Sequence, residues 1–237
     1  MGTLNGGKKK RYHKCMNSKS VKSYLNQHIE LFGDQIYKES QRTKKATFNY
    51  LDSKIDTIDS FKRAIKNCEE CNLSACRNKF VFGSGDPNAD LLLIGEGPGR
   101  EEDLKGEPFI GRSGKLLDKI LKAIGYSRSE KVFITNIVKC RPPENRNPLN
   151  SEIEKCKPYL IKQINLVKPK LLVALGKVAG HSLLEKDLLI KEMRNNIYSY
   201  NSIPLVITYH PSALLRNPVL KKDVWEDFQN IRDFLKS

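Results

Sequence analysis

Four short apolar runs lie between residues 90 and 208, each separated from the next by a stretch of helical periodicity. They are Asp90-Leu91-Leu92-Leu93-Ile94, Val132-Phe133-Ile134-Thr135-Asn136-Ile137-Val138, Lys170-Leu171-Leu172-Val173-Ala174-Leu175 and Leu205-Val206-Ile207-Thr208. Apolar runs this short, bounded by turn residues, read as strands buried on both faces. Strands that alternate with helices close as a parallel sheet with helices on either side. The expected fold is α/β, a three-layer α/β/α sandwich around a central, mostly parallel four-stranded sheet.

The intervening stretches carry their own signals. A helix is expected from about Ser53 to Asn67, where Ile55, Ile58, Phe61, Ala64 and Ile65 recur at helical spacing. Ser113 is expected to cap a helix whose Leu116, Leu117, Ile120, Leu121 and Ile124 share one face, with Gly125 ending it. Ser151 and Glu154 have capping-box spacing. Further helices are expected from Gly176 to Leu184 and from Asp223 to Leu235.

The chain has 237 residues and a formal net charge of +15, which favours a polyanionic partner. The excess is uneven, since residues 1–50 hold eleven Lys/Arg against three Asp/Glu. Residues 1–60 therefore read as a basic extension, flexible or weakly helical, ahead of a folded domain at 61–237. No apolar run approaches the roughly 18–20 residues of a membrane span. The basic start at Lys8-Lys9-Lys10-Arg11 has no apolar core behind it, unlike a secretory signal. A soluble intracellular protein, acting as a monomer and without a membrane partner, is the expectation.

In a parallel sheet the chemistry gathers at the carboxyl ends of the strands. Glu96, Asn136 and His210 all fall there, and Phe109 in Pro108-Phe109-Ile110-Gly111 offers an aromatic wall. The loop Gly95-Glu96-Gly97-Pro98-Gly99-Arg100 breaks the dinucleotide fingerprint at its third glycine. Gly111-Arg112-Ser113-Gly114-Lys115-Leu116 is not a phosphate-binding P-loop either. Glycines here would instead let backbone amides approach a flat ligand. Beyond His210, the segment Pro211-Ser212-Ala213-Leu214-Leu215-Arg216 reads as a loop whose two leucines and arginine form a wedge for a nucleic-acid stack. The other reading buries both leucines at the start of a helix. Together the wedge and the strand-end residues favour a site for one extruded base.

Six cysteines are present. Cys68 and Cys71 form a C-x₂-C pair, and Cys140 and Cys156 flank a Pro/Asn-rich loop, which makes a four-thiolate site. Thiolates suit zinc or an iron–sulfur cluster, and spacing does not choose between them. Cys15 and Cys76 read as free thiols, with Cys76 a substitute-ligand candidate.

These motifs resemble the family 4, iron–sulfur uracil-DNA glycosylases. The resemblance rests on Gly95-Glu96-Gly97-Pro98-Gly99-Arg100-Glu101-Glu102-Asp103, Pro108-Phe109-Ile110-Gly111-Arg112-Ser113-Gly114, Thr135-Asn136, Cys140-Arg141-Pro142-Pro143 and His210-Pro211-Ser212-Ala213-Leu214-Leu215-Arg216. It covers about residues 65–235. It implies hydrolysis of the N-glycosidic bond of deoxyuridine in single- or double-stranded DNA. It also implies a four-iron–four-sulfur cluster on Cys68, Cys71, Cys140 and Cys156, in preference to zinc.

By the same resemblance Phe109 stacks on the flipped uracil, Asn136 reads its O4 and N3–H, and Glu102 crowds the C5 position. His210 donates to O2, and the backbone around Gly97 shares that task. Other branches of the superfamily carry a water-activating Asp or Asn where this chain has Gly97, so Glu96 or backbone carbonyls are assigned to hold the water. Ser212, Leu214, Leu215 and Arg216 are assigned to DNA. The basic insert through which one relative bonds covalently to DNA has no counterpart after Gly114, so simple turnover is expected. The competing expectation is a non-catalytic, metal-stabilised nucleic-acid-binding module.

Overall fold

The computed structural model describes residues 55–236. All four apolar runs form strands, β2 (Leu91–Gly95), β3 (Val132–Asn136), β4 (Leu171–Leu175) and β6 (Ile203–Thr208), and they pair in parallel. Among the described residues the sheet has six strands rather than four, in the order β1-β3-β2-β4-β6-β5. The additions are β1 (Ser84–Gly85) and β5 (Tyr198–Tyr200), each antiparallel on an outer edge. Neither is fully buried, and two or three residues are too few to carry a hydrophobic period.

The strand order creates the crevice. From β2 the chain moves outward to β3, then returns across β2 to start β4, and continues to β6 on the far side. The connections after β2 and β4 therefore leave in opposite directions, which opens a gap beyond their carboxyl ends. Every residue of β2, β3 and β4 is buried, as expected for strands covered on both faces.

On one face α1 (Ile58–Ile65) packs against α4 (Asn150–Val167). On the other, α3 (Arg112–Ala123) packs against α7 (Pro211–Arg216) and α8 (Leu220–Lys236). Three shorter helices, α2 (Arg100–Lys105), α5 (Lys177–Leu184) and α6 (Ile190–Met193), fill the connections. Among the described residues no helix is long and apolar enough to cross a membrane.

Two cap assignments shift. Gly111, not Ser113, precedes α3, so the serine sits inside the first turn. At α4 the cap is Leu149, whose N–H donates to the Glu152 carboxylate at 2.8 Å, in place of the Ser151–Glu154 pair. Helix α1 crosses the expected boundary at residue 60, with Ile58 and Phe61 both buried in the core. The basic run at Lys8–Arg11, and Cys15, lie outside the described residues.

Candidate active site

The crevice beyond the parallel strands is a cleft of about 730 Å³. Glu96, Gly97 and Glu102 reach it from the segment after β2, and Asn136 is the last residue of β3. Phe109 enters from the turn before α3, while His210, Ser212 and Arg216 follow β6. Glu96, Asn136 and His210, more than a hundred positions apart from first to last, thus share one cleft because each stands at or just beyond the end of a strand of the same sheet.

Phe109 is held in a left-handed backbone conformation, φ 52°, which an aromatic residue adopts only under external constraint. The constraints are visible. The Glu102 carboxylate accepts the N–H groups of Ile110 and Gly111, both at 2.9 Å. The Arg128 guanidinium donates to the Pro108 carbonyl at 2.7 Å and also to the Phe109 carbonyl. Gly114 completes the clamp, since a Cβ there would lie 1.7 Å from the Phe109 carbonyl oxygen. Glu102 lines the cleft, and one of its oxygens is engaged in fixing the Phe109 turn.

Gly95 has the same character on the opposite side. A Cβ there would stand 2.5 Å from Asn136 Oδ1 and 2.7 Å from the Phe109 ring. Only a bare backbone lets the two side chains converge above β2. Asn136 Oδ1 is the one buried side-chain polar atom without a hydrogen-bond partner among the described residues. Leaving such an acceptor unpaired costs about 1–3 kcal/mol, recoverable by a ligand that brings a donor.

His210 stands 5.3 Å from Phe109, centroid to centroid, with the rings tilted by 33°. Its Nδ1 accepts the Ser212 N–H at 3.1 Å and lies 2.8 Å from the Ser212 hydroxyl. A ring nitrogen that accepts from a backbone amide carries no proton, so in the neutral ring the proton is on Nε2. Burial, reinforced by the nearby Arg216 charge and opposed by Glu102, pushes the imidazole down to about 4. The residue is therefore a neutral imidazole with a fixed Nε2–H donor at neutral pH. Burial also raises the pKa of Glu96, favouring its protonated form to higher pH than an ordinary carboxyl.

The segment after His210 is a helix rather than a loop, and this divides the expected wedge. Leu214 is 1% exposed and belongs to the core beneath α3, so it does not present itself to DNA. Leu215 is 41% exposed, and Arg216 lines the cleft. Adjacent helical positions point about 100° apart, so one leucine can be core while the next faces outward.

Cys140 and Cys156 are buried, and Cys68 and Cys71 pack against the same core cluster. All four are free thiols, and Cys71, Cys140 and Cys156 each feel the charge of others of the set. Arg77 donates to the Cys140 sulfur at 3.1 Å, and the Tyr159 hydroxyl donates to the Cys68 sulfur at 3.1 Å. Burial pushes the Cys140 thiol up to about 11 and the Cys156 thiol up to about 12, so ionisation there calls for positive charge. Among the described residues, no three His, Cys, Asp or Glu side chains are grouped for a metal ion. Cys76, expected free, is disulfide-bonded.

Lys139 went unnoticed in the sequence, although a lysine directly after the Val132–Val138 run was the available signal. It is completely buried, with its ammonium on Thr135 Oγ1 at 2.7 Å and on the Asn136 carbonyl at 2.5 Å. Burial lowers its pKa to about 8, against the opposing pull of Cys156 and Cys140. Arg128 was also missed, because nothing local links it to Phe109.

A mostly parallel sheet with a cleft of about 730 Å³ at its switch point, walled by Phe109, Asn136 and His210, defines a class. The family model of the uracil DNA glycosylase superfamily matches residues 82–229, and the chain belongs to that superfamily. A type-4 uracil-DNA glycosylase of Archaeoglobus fulgidus is 38% identical over 185 residues, covering 75% of this chain and 92% of the relative. That of Saccharolobus solfataricus is 40% identical over 192 residues, 77% of this chain and 88% of the relative. For Thermotoga maritima the figures are 40% over 185 residues, 76% and 96%. Within the superfamily the chain is a member of the type-4 group.

Proposed function

We propose that this chain is a DNA-repair glycosylase that extrudes deoxyuridine from DNA and hydrolyses its N-glycosidic bond, releasing uracil and leaving an abasic site. The observation that carries the reading is the unpartnered Asn136 Oδ1 in a cleft walled by Phe109 and His210. Uracil N3–H supplies the missing donor, while the Asn136 amide donates to O4. Cytosine offers the reverse pattern, with no N3 proton and an amino group in place of O4. Phe109 stacks on the base.

As the glycosidic bond breaks, negative charge grows on the base. The Nε2–H of neutral His210 donates to uracil O2, and one such placed donor contributes about 3–4 kcal/mol to the transition state. The backbone around Gly97 adds amide dipoles. Glu96, with backbone carbonyls beside it, positions the attacking water against the cationic sugar. Leu215 and Arg216, with Ser212 at the helix start, face the DNA and offset an unstacking cost of a few kcal/mol. The enzyme works as a monomer on single- or double-stranded substrate, and the net charge of +15 favours such a polyanion.

The donor set suits an iron–sulfur cluster, since four free thiols lie in or against one core cluster, with Arg77 and Tyr159 already donating to sulfur. Cys68, Cys71, Cys140 and Cys156 would hold a four-iron–four-sulfur cluster. Those four residues would thereby join the segment before β1 to the one after β3 and to α4.

The test is incubation of cluster-loaded protein with a uracil-containing oligonucleotide, followed by alkaline cleavage of abasic sites. Strand cleavage at uracil, and none at thymine or cytosine, is expected. DNA binding without base release would overturn the reading and leave a non-catalytic, metal-stabilised binding module.

A further inference from the structure

We infer that Lys139 is a positioning residue that joins the base-reading Asn136 to the four-cysteine site, so that uracil affinity depends on what those cysteines hold. The inference rests on the glycosylase reading and the cluster assignment above.

Lys139 faces both ways. Its ammonium grips the last two residues of β3, donating to Thr135 Oγ1 at 2.7 Å and to the Asn136 carbonyl at 2.5 Å. Its own backbone N–H donates to the Cys156 sulfur, and the next residue is Cys140. One residue thereby touches both the strand end that carries the base-reading amide and two of the four thiols. Just beyond Asn136 the backbone is also tied to the β2 end, Ile137 N–H donating to the Gly95 carbonyl at 2.8 Å and Val138 N–H to the Glu96 carbonyl at 3.1 Å, so Lys139 adds the side-chain tie on the Thr135–Asn136 pair itself.

The other members of the network point the same way. Thr135 Oγ1 lies 3.0 Å from both the Phe82 carbonyl and Gln163 Oε1. Gln163 Nε2 donates to the Phe82 carbonyl at 2.8 Å. Gln163 belongs to α4, the helix that also carries Cys156. A displacement of α4 or of the Cys140 segment is thus passed to Thr135 and Asn136 through hydrogen bonds with no apolar gap between them.

The charge arrangement supports the geometry. The Lys139 ammonium is 0% exposed, and its hydrogen-bond acceptors are a hydroxyl and a carbonyl, with no carboxylate among them. Its position is therefore fixed by those two oxygens, which ties Thr135 and Asn136 to the backbone that runs directly into Cys140.

Lys139→Met keeps the apolar stem and removes the ammonium. In the full-length, cluster-loaded protein, visible absorbance and iron content should stay near wild type. Affinity for free uracil, read by product inhibition and by titration calorimetry, should fall about ten-fold. The rate constant on uracil DNA should fall about 100-fold, as for an approximately 1 Å misplacement of a reacting group. Affinity for DNA containing an abasic-site analogue should change by less than about two-fold, since the phosphate contacts lie elsewhere.

A second arm removes the cluster. Oxidative loss from wild type should weaken uracil binding in step with the fall in absorbance, while the uracil affinity of Lys139→Met should no longer respond to cluster content. Such non-additivity is the signature of coupling. Where Lys139→Met does not fold, Thr135→Val removes one acceptor of the same ammonium and is read against the same outcomes. A variant with a lower melting temperature but unchanged uracil affinity would reduce Lys139 to a packing role and overturn the inference. Absence of base release by wild type would instead sink the glycosylase reading on which it rests.

Discussion

The tautomer and charge of His210 can be tested by lowering the pH. Burial, with Arg216 adding repulsion, holds its imidazole at about 4 against an ordinary value of 6.5. At pH 5 a group with pKa 4 is about 90% neutral, whereas an unperturbed histidine would be only about 3% neutral. If the neutral ring is the active donor, the single-turnover rate at pH 5 stays within about two-fold of its pH 7.5 value as far as His210 governs it. An ordinary histidine would give a fall of about 30-fold.

Burial raises the pKa of Glu96 as well, so nitrogen-15 spectra of the imidazole supply the reading that belongs to His210 alone. The chain has four histidines, and His210→Gln assigns the relevant pair of ring nitrogens. Nδ1 should remain the unprotonated nitrogen and Nε2 the protonated one down to pH 5. The stability consequence has a definite sign. The unfolded chain takes up the proton at about 6.5 and the folded protein only near 4, so protonation favours unfolding in that window. This residue costs no stability above pH 6.5, and the penalty grows to about 3 kcal/mol as the pH falls to 4. A midpoint near 6.5 for His210, or a proton on Nδ1 at pH 7, would refute the assignment.

Other outcomes follow from the same geometry. Gly95→Ala, whose new methyl would meet Asn136 Oδ1 at 2.5 Å and the Phe109 ring at 2.7 Å, should lower the rate constant about 100-fold while denaturation midpoints change little. Gly114→Ala, with its methyl 1.7 Å from the Phe109 carbonyl, cannot be accommodated without backbone movement, and denaturant unfolding should show a loss of about 1–3 kcal/mol. The adjacent leucines should separate cleanly. Leu214→Ala costs about 2–5 kcal/mol of stability with a near-normal rate in the folded fraction, whereas Leu215→Ala keeps stability and weakens turnover on duplex more than on single-stranded DNA. Asn136→Ala should retain affinity for abasic-analogue DNA within about two-fold and lose most uracil release, and equal loss of both would contradict its role as a base reader.

Much of this was written locally. Uninterrupted apolar residues from Leu91 to Ile94 and Leu171 to Leu175 require burial on both faces, and a helix between such strands requires them to run parallel. That ordering places Glu96, Asn136 and His210 at strand ends before any coordinate is known. The misses have the opposite character. Strands β1 and β5 pair at half-exposed edges and are too short to show a pattern. Leu214 and Leu215 have the same chemistry, and only the packing of α7 under α3 decides which one is core. Lys139 looks like an ordinary surface charge until the fold closes over it.

The sequence by itself therefore determined the layer architecture, the strand-end chemistry and the four cysteines, because short-range periodicity and residue type carry that information. Tertiary structure alone decided the state of each group: the neutral, Nε2-protonated His210, the unpaired Asn136 oxygen, the clamped Phe109 turn and the buried Lys139. Those properties depend on desolvation and on partners far along the chain, such as Arg128 on Phe109 and Arg216 on His210, and neither is encoded within any one segment.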